Sequence, residues 1–591
     1  MPPRQTNRPT ANPIARVRIW YACLLVIASV FIVRLFYLQV IRHNYYEQAA
    51  LRSQLKQYTV EAERGTIVAH NGDTITPIVL NQTLYTLYAD PKFVKDPNAE
   101  AIALQKVIGG DASKYVGQMK AASRYQILAK KLSRQQKDAV TALKLKGIGA
   151  QETNYRTYPQ GQLAAQLLGF VNDDGDGQYG LEQALNGPLK GMPGQLKAIT
   201  DAQGVPLAAN KENTVITPVP GKQTLLTIDL GMQQQLEDIL KQQVEDTKGS
   251  LGSALILDAR SGAVKAMANY PTFNPSEFSK VSDQSVFRNA AVTDAFEVGS
   301  IMKTLTAAAA LDQGVVNKNT TYYDPSHWSV DGFTISNIEE DGGAGTKSIA
   351  DILQLSLNTG ATWLLMQMGG GQINQKARVA WHDYLVNHYQ FGKPTGIEQS
   401  NEGSGIVPDP NNGYGLNLQY ANTAFGQGQT ETILQMGAAI ASVVNGGTYY
   451  QPHLVDAFVR QDGSQDKQPP KVIRQNVVSA GVSSDMRGFM EYTLQKNKLV
   501  YGVSSLRPEY AYGGKTGTAQ IPKPGGGYLD NRFEGTFLGY IGGDMPQYVI
   551  VVRVSQATNI YGYAGAKATA PIYFKLADML INNFGVQPKT K

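Results

Sequence analysis

Cysteine is almost missing from this chain of 591 residues, which contains Cys23 alone. A single cysteine cannot form an intramolecular disulfide, a thiolate metal site or a CxxC redox pair. Histidine is also sparse: the six histidines are scattered and none has HExxH spacing. We therefore expect the protein to use neither a metal ion nor any other cofactor.

Charged residues make up 17% of the chain, against about 25% in a typical soluble protein. Together with 42% hydrophobic residues, this composition excludes a disordered chain or a coiled coil. The net charge is only +6 and no basic run occurs in the body of the chain, so nucleic acid is not expected as a partner. The length suits two to four domains.

One long apolar run lies near the N-terminus, over residues 19–40, and its length of about 20 residues is enough to cross a bilayer as a helix. Four arginines and no acidic residue precede it: Arg4, Arg8, Arg16 and Arg18. The positive-inside tendency then predicts a cytoplasmic tail over residues 1–18 and an extracytoplasmic body. A cleaved signal peptide is the competing interpretation, but bulky residues follow the run where small-x-small is required. We predict a single-pass plasma-membrane protein.

Turn-forming residues and changes of pattern divide the rest of the chain. Helical spacing over residues 45–58 predicts that the membrane helix continues beyond the bilayer. Short strand-like runs with Gly and Pro turns follow up to about residue 220. Residues 222–229 indicate a strand, and an amphipathic helix follows through Glu245, so we place the main boundary near residue 221. The polar stretch 461–470 predicts a surface loop.

The first element that could carry chemistry is Ser300-Ile-Met-Lys303. On a helix this spacing puts the serine hydroxyl and the lysine amine on one face. A serine is a weak nucleophile unless a base takes its proton, and a buried neutral lysine can be that base. Two other S-x-x-K runs begin at Ser53 and Ser464, but only Ser300 precedes an apolar helical run that would bury the element.

Two further motifs occur together with the Ser300–Lys303 motif. Ser356-Leu-Asn358 follows at the end of a helical stretch, and the run Lys515–Thr518 (KTGT) lies where a loop is predicted to enter a strand. Penicillin-binding proteins and related β-lactamases combine S-x-x-K, S-x-N and K-T-G in this order. Residues 172–177 resemble the start of an EF-hand loop, but Gln183 stands where the bidentate glutamate is required, so we interpret them as a solvated turn.

On these motifs the chain resembles a class B penicillin-binding protein, a single-pass monofunctional peptidoglycan transpeptidase. Further runs resemble that family near the membrane and around the motifs: Arg64–Ile67, Asn71-Gly72, Arg156–Pro159, Gly180–Glu182, Glu297–Ser300, Phe425–Gly428 and Asn445–Gly447. The resemblance implies an α+β multidomain protein with a pedestal of the dimerisation type over 41–221, a transpeptidase domain over 222–583 and a C-terminal tail over 584–591. The transpeptidase domain would have an antiparallel sheet with helices, an all-α lobe, and Lys515 on the edge strand.

The resemblance also implies roles for eight residues. Ser300 would be the nucleophile and Lys303 its base, while Ser356, helped by Lys515, would relay a proton to the leaving amine. Asn358 would hydrogen-bond the substrate amide and Lys303. The hydroxyls of Thr516 and Thr518 would bind the terminal carboxylate, and Gly517 would keep the strand free of a side chain where substrate lies. Backbone N–H groups of Ser300 and Thr518 would form the oxyanion hole.

The implied substrates are peptidoglycan stem peptides, and β-lactam antibiotics would acylate Ser300. The implied partners are a membrane glycan polymerase and other divisome proteins. The runs 393–397 and 402–405 resemble the septal, cell-division group better than the lateral-wall group. Two alternatives remain open: a lateral-wall transpeptidase, and a divisome scaffold with little catalytic activity.

Overall fold

The computed structural model describes residues 13–46, 55–199, 214–337, 343–460, 462–523, 525–560 and 562–590. These residues belong to two units that are described separately. The first takes the described parts of Met1–Ala62 and Met192–Pro220, and the second takes Glu63–Gly191 and the described parts of Gly221–Lys591. The chain passes from the first unit to the second between Pro220 and Gly221, next to the predicted boundary at residue 221.

The first unit contains the apolar helix and a small sheet. The helix Pro13–Phe36 continues into one wider turn, Tyr37–Ile41, and among the described residues this is the one segment long and apolar enough to cross a membrane. The strand Leu55–Val60 pairs antiparallel with Gly194–Ile199, which pairs in turn with Thr214–Ile216. The predicted helix over 45–58 is thus wrong from residue 55 onward, because strand pairing with a distant segment overrides local periodicity; residues 47–54 lie outside the described residues.

A seven-stranded sheet runs through the second unit. The strand Gln223–Asp229 lies at its middle, pairing parallel with Ile67–Asn71 on one side and antiparallel with Val455–Val459 on the other. The remaining strands are Thr74–Ala89, Gln126–Leu132, Ile148–Thr157 and Gln465–Lys467. The last of these corrects the loop predicted over 461–470, since it pairs with Val455–Val459 as an exposed edge. One sheet therefore joins residues on both sides of the predicted boundary.

The outer end of this sheet carries a helical layer with its own small core. Helices Pro97–Ile108, Ala112–Met119 and Arg134–Ala142 cover the strands, and buried Leu87, Leu104 and Leu128 lie between the layers. Side chains cap all three helices at their N-termini, from Asp96, Asp111 and Ser133. Three shorter helices follow: Ala165–Leu168, Gly180–Ala184 and Asn186–Lys190.

A buried ionic network holds together the family-like runs around residues 64, 156 and 182. Glu182 is 0% exposed, and its two carboxylate oxygens accept hydrogen bonds from Arg64 Nε and Arg156 Nε, each at 2.7 Å. Arg156 also donates to Asn81 Oδ1 at 2.8 Å and to the Gly65 carbonyl at 2.7 Å. Charges buried this completely are tolerated only when paired, so the three residues act as one structural unit.

A second sheet, five-stranded and antiparallel, forms the body of the C-terminal half of the second unit. Its strands in spatial order are Val264–Tyr270, Leu251–Asp258, Pro546–Ser555, Tyr528–Gly542 and Ala511–Pro522. Helices Leu230–Asp246 and Ala570–Asn583 cover one face and Ile433–Val444 the other, so successive residues such as Ile550 and Val551 are buried in different cores. The strand Ala511–Pro522, which carries Lys515, is an edge strand, as the resemblance implied.

The remaining helices form a lobe beside this sheet, but four short strands lie among them, so the lobe is not all-α as the resemblance implied. The apolar helix Lys303–Asp312 is buried along its length at the centre of the lobe. Its other helices are Ala290–Thr293, Ile349–Gln354, Asn358–Met368, Gln375–Asp383, Leu416–Thr423 and Ala480–Asn497. Two short hairpin-like pairs lie with them: Thr321–Asp324 with Gly345–Ser348, and His327–Val330 with Phe333–Ser336.

Candidate active site

Ser300 lies in a single 3₁₀ turn, Gly299–Met302, directly before the helix that begins at Lys303. The S-x-x-K spacing predicted that both residues lie on one face of a helix, and the tighter turn still keeps residues i and i+3 on the same side. Gly299 has φ +66°, a conformation that glycine adopts without strain. Ser300 is half-buried, whereas Gly299, Ile301 and Met302 are buried, so Ser300 is the residue of this turn that stays accessible.

Hydrogen bonds on both sides fix this Ser300 turn. The Gly299 N–H donates to the Gly426 carbonyl at 3.0 Å. The Thr536 hydroxyl donates to the Val298 carbonyl, also at 3.0 Å. Gly426 follows the lobe helix Leu416–Thr423, and Thr536 lies on the strand that pairs with the Lys515 strand. The turn is therefore held between lobe and sheet.

Lys303 is 0% exposed, and polar groups surround its amine. Its Nζ donates to Asn358 Oδ1 at 2.8 Å, to the Ser356 Oγ at 3.3 Å and to the Ser356 carbonyl. Burial at this depth disfavours the charged form of a lysine. By contrast, Ser464 and Lys467 of a competing S-x-x-K run are both exposed on the sheet edge.

Ser356 sits where the helix Ile349–Gln354 ends in a left-handed turn. Its φ is +60°, and the Leu357 N–H donates to the Ile352 carbonyl at 3.0 Å across the turn. This bond pattern is the Schellman motif, in which glycine is the preferred residue at the left-handed position. A serine there costs roughly 1–2 kcal/mol of backbone strain, a cost that is common where a side chain is needed for function.

Asn358 begins the next helix, and a polar cluster that the sequence analysis missed supports it. Its Nδ2 donates to the Ser336 carbonyl at 3.1 Å. The adjacent Thr359 donates from its hydroxyl to Asp324 Oδ2 at 2.7 Å and from its N–H to Asn337 Oδ1 at 3.1 Å. Asp324 and Asn337 lie on or beside short strands with no motif around them, so no signal in the sequence could have identified them.

Lys515 completes the group from the edge strand. It is 2% exposed, and its Nζ donates to the Ser356 hydroxyl at 2.9 Å and to the Thr516 carbonyl at 2.8 Å. One serine hydroxyl therefore contacts two lysine amines. The structure brings Lys303, Ser356, Asn358 and Lys515 together by direct hydrogen bonds, although they are up to 212 positions apart in the chain.

The residues after Lys515 alternate between cleft and interior. Thr516 and Thr518 are half-buried, while Gly517 between them is buried. A Cβ on Gly517 would lie 2.2 Å from Thr536 Oγ1 and 2.8 Å from the Val298 carbonyl. Gly517 is thus needed because the protein itself fills the space beside it, which differs from the substrate clearance that the resemblance suggested. The glycine lets the Lys515 strand lie directly against the Ser300 turn.

Two buried carboxyl groups lie behind the Ser300 turn. Glu297 accepts hydrogen bonds from the Gly428 N–H at 2.9 Å and from the Tyr528 hydroxyl at 3.3 Å, and burial raises its pKa. Glu431 is 0% exposed, and burial, with the nearby Glu297 as a second cause, raises its pKa well above the ordinary value.

Within the residues that the structure describes, no group of three or more His, Cys, Asp or Glu side chains could hold a metal ion. In the EF-hand-like stretch, Asp176 is paired with Lys190 at 2.7 Å. The arrangement around Ser300 is instead suited to acyl transfer, because it combines an accessible serine, a buried amine and a proton-sharing hydroxyl.

Comparison with known proteins agrees with this chemistry. Residues 252–578 match the family model described as the penicillin-binding protein transpeptidase domain, and residues 59–226 match the penicillin-binding protein dimerisation domain. Stage V sporulation protein D of Bacillus subtilis is 29% identical, covering 98% of this chain and 88% of the relative. Peptidoglycan D,D-transpeptidase FtsI of Escherichia coli K12 is 26% identical, covering 99% and 95%. The crystal structure of penicillin-binding protein 3 from Mycobacterium tuberculosis, complexed with ampicillin, has TM-score 0.67 at 24% identity, covering 90% of this chain and 98% of that one.

The chain therefore belongs to the penicillin-binding protein transpeptidase family. Because a dimerisation domain precedes the transpeptidase domain, it is a class B penicillin-binding protein. Its enzymatic class is that of the serine-type peptidoglycan D,D-transpeptidases.

Proposed function

We propose that Ser300 is the nucleophile and Lys303 the general base of this transpeptidase. The observation that carries the proposal is the Ser356 hydroxyl, which lies 3.3 Å from the amine of Lys303 and 2.9 Å from that of Lys515. Because Lys303 is fully buried, its neutral form is favoured over its charged form. Its two N–H groups then serve the Ser356 carbonyl and Asn358 Oδ1, and its lone pair takes the Ser300 proton.

Acylation proceeds as follows. Ser300 Oγ bonds to the carbonyl carbon between the last two D-alanines of a donor stem peptide while its proton moves to Lys303 Nζ. The C–N bond breaks, and the leaving amine takes the proton of the Ser356 hydroxyl, which Lys303 replaces from its own ammonium. Lys303 is neutral again, terminal D-alanine departs, and the donor remains as an ester on Ser300.

Transfer reverses these roles. The amine of a neighbouring stem peptide attacks the ester carbonyl and gives up a proton along the same path to Lys303. The C–Oγ bond breaks, and Ser300 recovers its proton from Lys303. The Lys515 amine, which donates to the Ser356 hydroxyl, stabilises negative charge on Ser356 in both steps. Backbone N–H groups of Ser300 and Thr518 donate to the carbonyl oxygen as it becomes an anion.

Thr516 and Thr518, which are half-buried, bind the terminal carboxylate of the donor stem peptide. Thr518 Oγ1 accepts from the Gly565 N–H at 3.2 Å, which leaves its proton free to be donated to an anion. β-Lactams carry a carboxylate at a similar distance from their reactive carbonyl, so they acylate Ser300 and leave a slow ester. The ampicillin complex of a protein with the same fold supports this inference.

The apolar helix anchors the enzyme in the plasma membrane, with the N-terminal tail in the cytoplasm and the active site outside. The arginines before the helix support this orientation. A membrane glycan polymerase would bind through the anchor and the pedestal, together with other divisome proteins.

We assign the enzyme to the septum rather than the lateral wall. The two runs that favour the division group, 393–397 and 402–405, form one structural feature: the Glu402 carboxylate accepts the N–H groups of Thr395 at 2.7 Å and Gly396 at 2.9 Å. This shared anchoring supports reading the two runs as one signature.

The first experiment labels the full-length protein in detergent with a fluorescent penicillin and maps the modified peptide. We expect the label on Ser300, and none on Ser300→Ala or Lys303→Ala. Ser464→Ala is the matched control, because it removes the serine of a competing S-x-x-K run and should leave labelling unchanged. Label at another serine, or persisting in Ser300→Ala, would refute the assignment.

The septal role is tested by depleting the protein in cells that carry a second copy under separate control. Loss of a septal enzyme should give elongating cells that fail to divide, whereas rounded cells would indicate a lateral-wall enzyme. A copy with Ser300→Ala should not restore division. If it does, the protein serves chiefly as a scaffold.

A further inference from the structure

The strained turn at Ser356 depends on a residue outside the three motifs. Asn497, the last residue of the helix Ala480–Asn497, donates from Nδ2 to the Gln354 carbonyl at 2.7 Å. In return, Gln354 Nε2 donates to Asn497 Oδ1 at 2.9 Å. Gln354 ends the helix that leads into Ser356, so Asn497 holds both the main chain and the side chain of the residue two positions before it.

The same side chain reaches toward the Lys515 strand. Asn497 Nδ2 also lies 3.3 Å from the hydroxyl of Tyr501. Tyr501 is 5% exposed, and its ring packs edge-on against Phe537, the cross-strand partner of Thr516. Burial raises the pKa of Tyr501, and hydrogen bonds with the side chains of Asn497 and Thr516 oppose that rise. The Tyr501 hydroxyl therefore contacts Asn497, while its ring lies against the strand residue opposite Thr516.

The helix Ala480–Asn497 packs against both elements that it connects. It contacts the helix Ile349–Gln354 along one side and the Lys515 strand along another. A second, longer bond runs from the Tyr492 hydroxyl to Asp351 Oδ1 at 3.4 Å. The connection from Ser356 toward Thr516 thus passes through Gln354, Asn497 and Tyr501, at the end of this helix.

We propose that Asn497 and Tyr501 are positioning residues for the transpeptidase reaction, an inference that rests on the proposed roles of Ser356 and Thr516. Asn497 fixes the Ser356 hydroxyl between the two lysine amines, and Tyr501 fixes the Thr516 hydroxyl for the substrate carboxylate. Since Ser356 occupies a left-handed conformation that costs energy, its turn relaxes when the bond to the Gln354 carbonyl is lost. Proton transfer then slows although no motif residue has changed.

The test measures acylation of the full-length protein by a fluorescent penicillin over a range of concentrations. This separates the dissociation constant of the initial complex from the rate constant of acylation. Asn497→Ala, and Asn497→Asp, which retains the acceptor and loses the donor, should lower the acylation rate constant about tenfold, the effect of losing one bond to a buried group. Both should leave the dissociation constant within about twofold of wild type, the scatter of a neutral change. Tyr501→Phe keeps the buried ring and should instead weaken the initial complex several-fold.

Asn583→Ala is the matched control, because Asn583 makes a similar amide bond to Gln235 at 3.1 Å between two helices that carry no motif. A purely structural role for Asn497 would lower the melting temperature and leave both kinetic constants of the folded protein unchanged, which would overturn the proposal. Equal losses in Asn583→Ala would also overturn it. Wild type that carries no label on Ser300 would refute the proposed function itself, an outcome distinct from labelled wild type with unchanged variants.

Discussion

Replacing Glu237 with glutamine should stabilise the protein above neutral pH and change little in mild acid. Glu237 lies on the helix Leu230–Asp246, and its Oε1 accepts hydrogen bonds from the Ala164 N–H at 2.7 Å and from Gln233 Nε2 at 2.8 Å. It therefore connects the transpeptidase half of the second unit to the pedestal part. Burial raises its pKa to about 7, and the two hydrogen bonds only partly offset that rise.

The sign and size of the effect follow from this pKa. The folded value of about 7 exceeds the reference value of 4.5, so the folded state binds the proton more tightly than the unfolded state does. The stabilisation is complete below pH 4.5 and is lost as the pH rises to 7. At about 1.4 kcal/mol per pKa unit, wild type loses about 3 kcal/mol from this group. Glutamine keeps an oxygen acceptor for Ala164 and carries no charge to desolvate.

The assay is thermal unfolding of the full-length protein in detergent at several values between pH 5 and pH 8. Wild type and Glu237→Gln should melt together at pH 5, and the variant should melt a few degrees higher at pH 8. Glu245→Gln, an exposed glutamate on the same helix, is the matched control for removing a carboxylate. A melting-temperature difference that is the same at every pH, or that favours wild type at pH 8, would refute this account of Glu237.

Substitutions at three further positions, Glu182, Ser356 and Gly517, test other parts of the structure. Glu182→Gln leaves the buried arginine pair without its counter-charge and should cost about 3–5 kcal/mol, seen as a lower melting temperature; an unchanged one would contradict the network's importance. Ser356→Ala and Ser356→Gly should both lose penicillin labelling, but the glycine variant should be about 1 kcal/mol more stable than the alanine variant, because only glycine relieves the left-handed strain. Gly517→Ala should cost about 1–3 kcal/mol and slow labelling by pushing the strand from the Ser300 turn. Gly481→Ala is the control for this change: the new Cβ would meet open space, so the variant should neither lose stability nor slow labelling.

Much of the fold and the site was accessible to pattern reasoning because it depends on local sequence. The apolar run over 19–40 lies within the described helical segment Arg16–Ile41, and the strand and helix after residue 221 occur as Gln223–Asp229 and Leu230–Asp246. The order of S-x-x-K, S-x-N and K-T-G indicated the family that the comparisons establish. Where pattern reasoning failed, at residues 55–58 and 465–467, strands pair with other segments of the folded chain. No local periodicity reports such a partner.

The predicted domain boundary came from turn residues and a change of pattern near residue 221. The strand that begins at Gln223 pairs with Ile67–Asn71 on one side and Val455–Val459 on the other. Local pattern cannot show that one sheet continues across such a point, because sheet pairing is a property of the folded chain.

The sequence by itself determined which residues are available for chemistry: one serine before a buried lysine, a second serine with its asparagine, and a lysine before two threonines. Tertiary structure alone decided that the Ser356 hydroxyl lies between two lysine amines, and that a left-handed turn, Asp324, Asn337 and Asn497 hold the motif residues in place. The reason is physical. Residue identity fixes the functional groups, whereas catalysis depends on distances of about 3 Å, which arise only when segments far apart in the chain pack together.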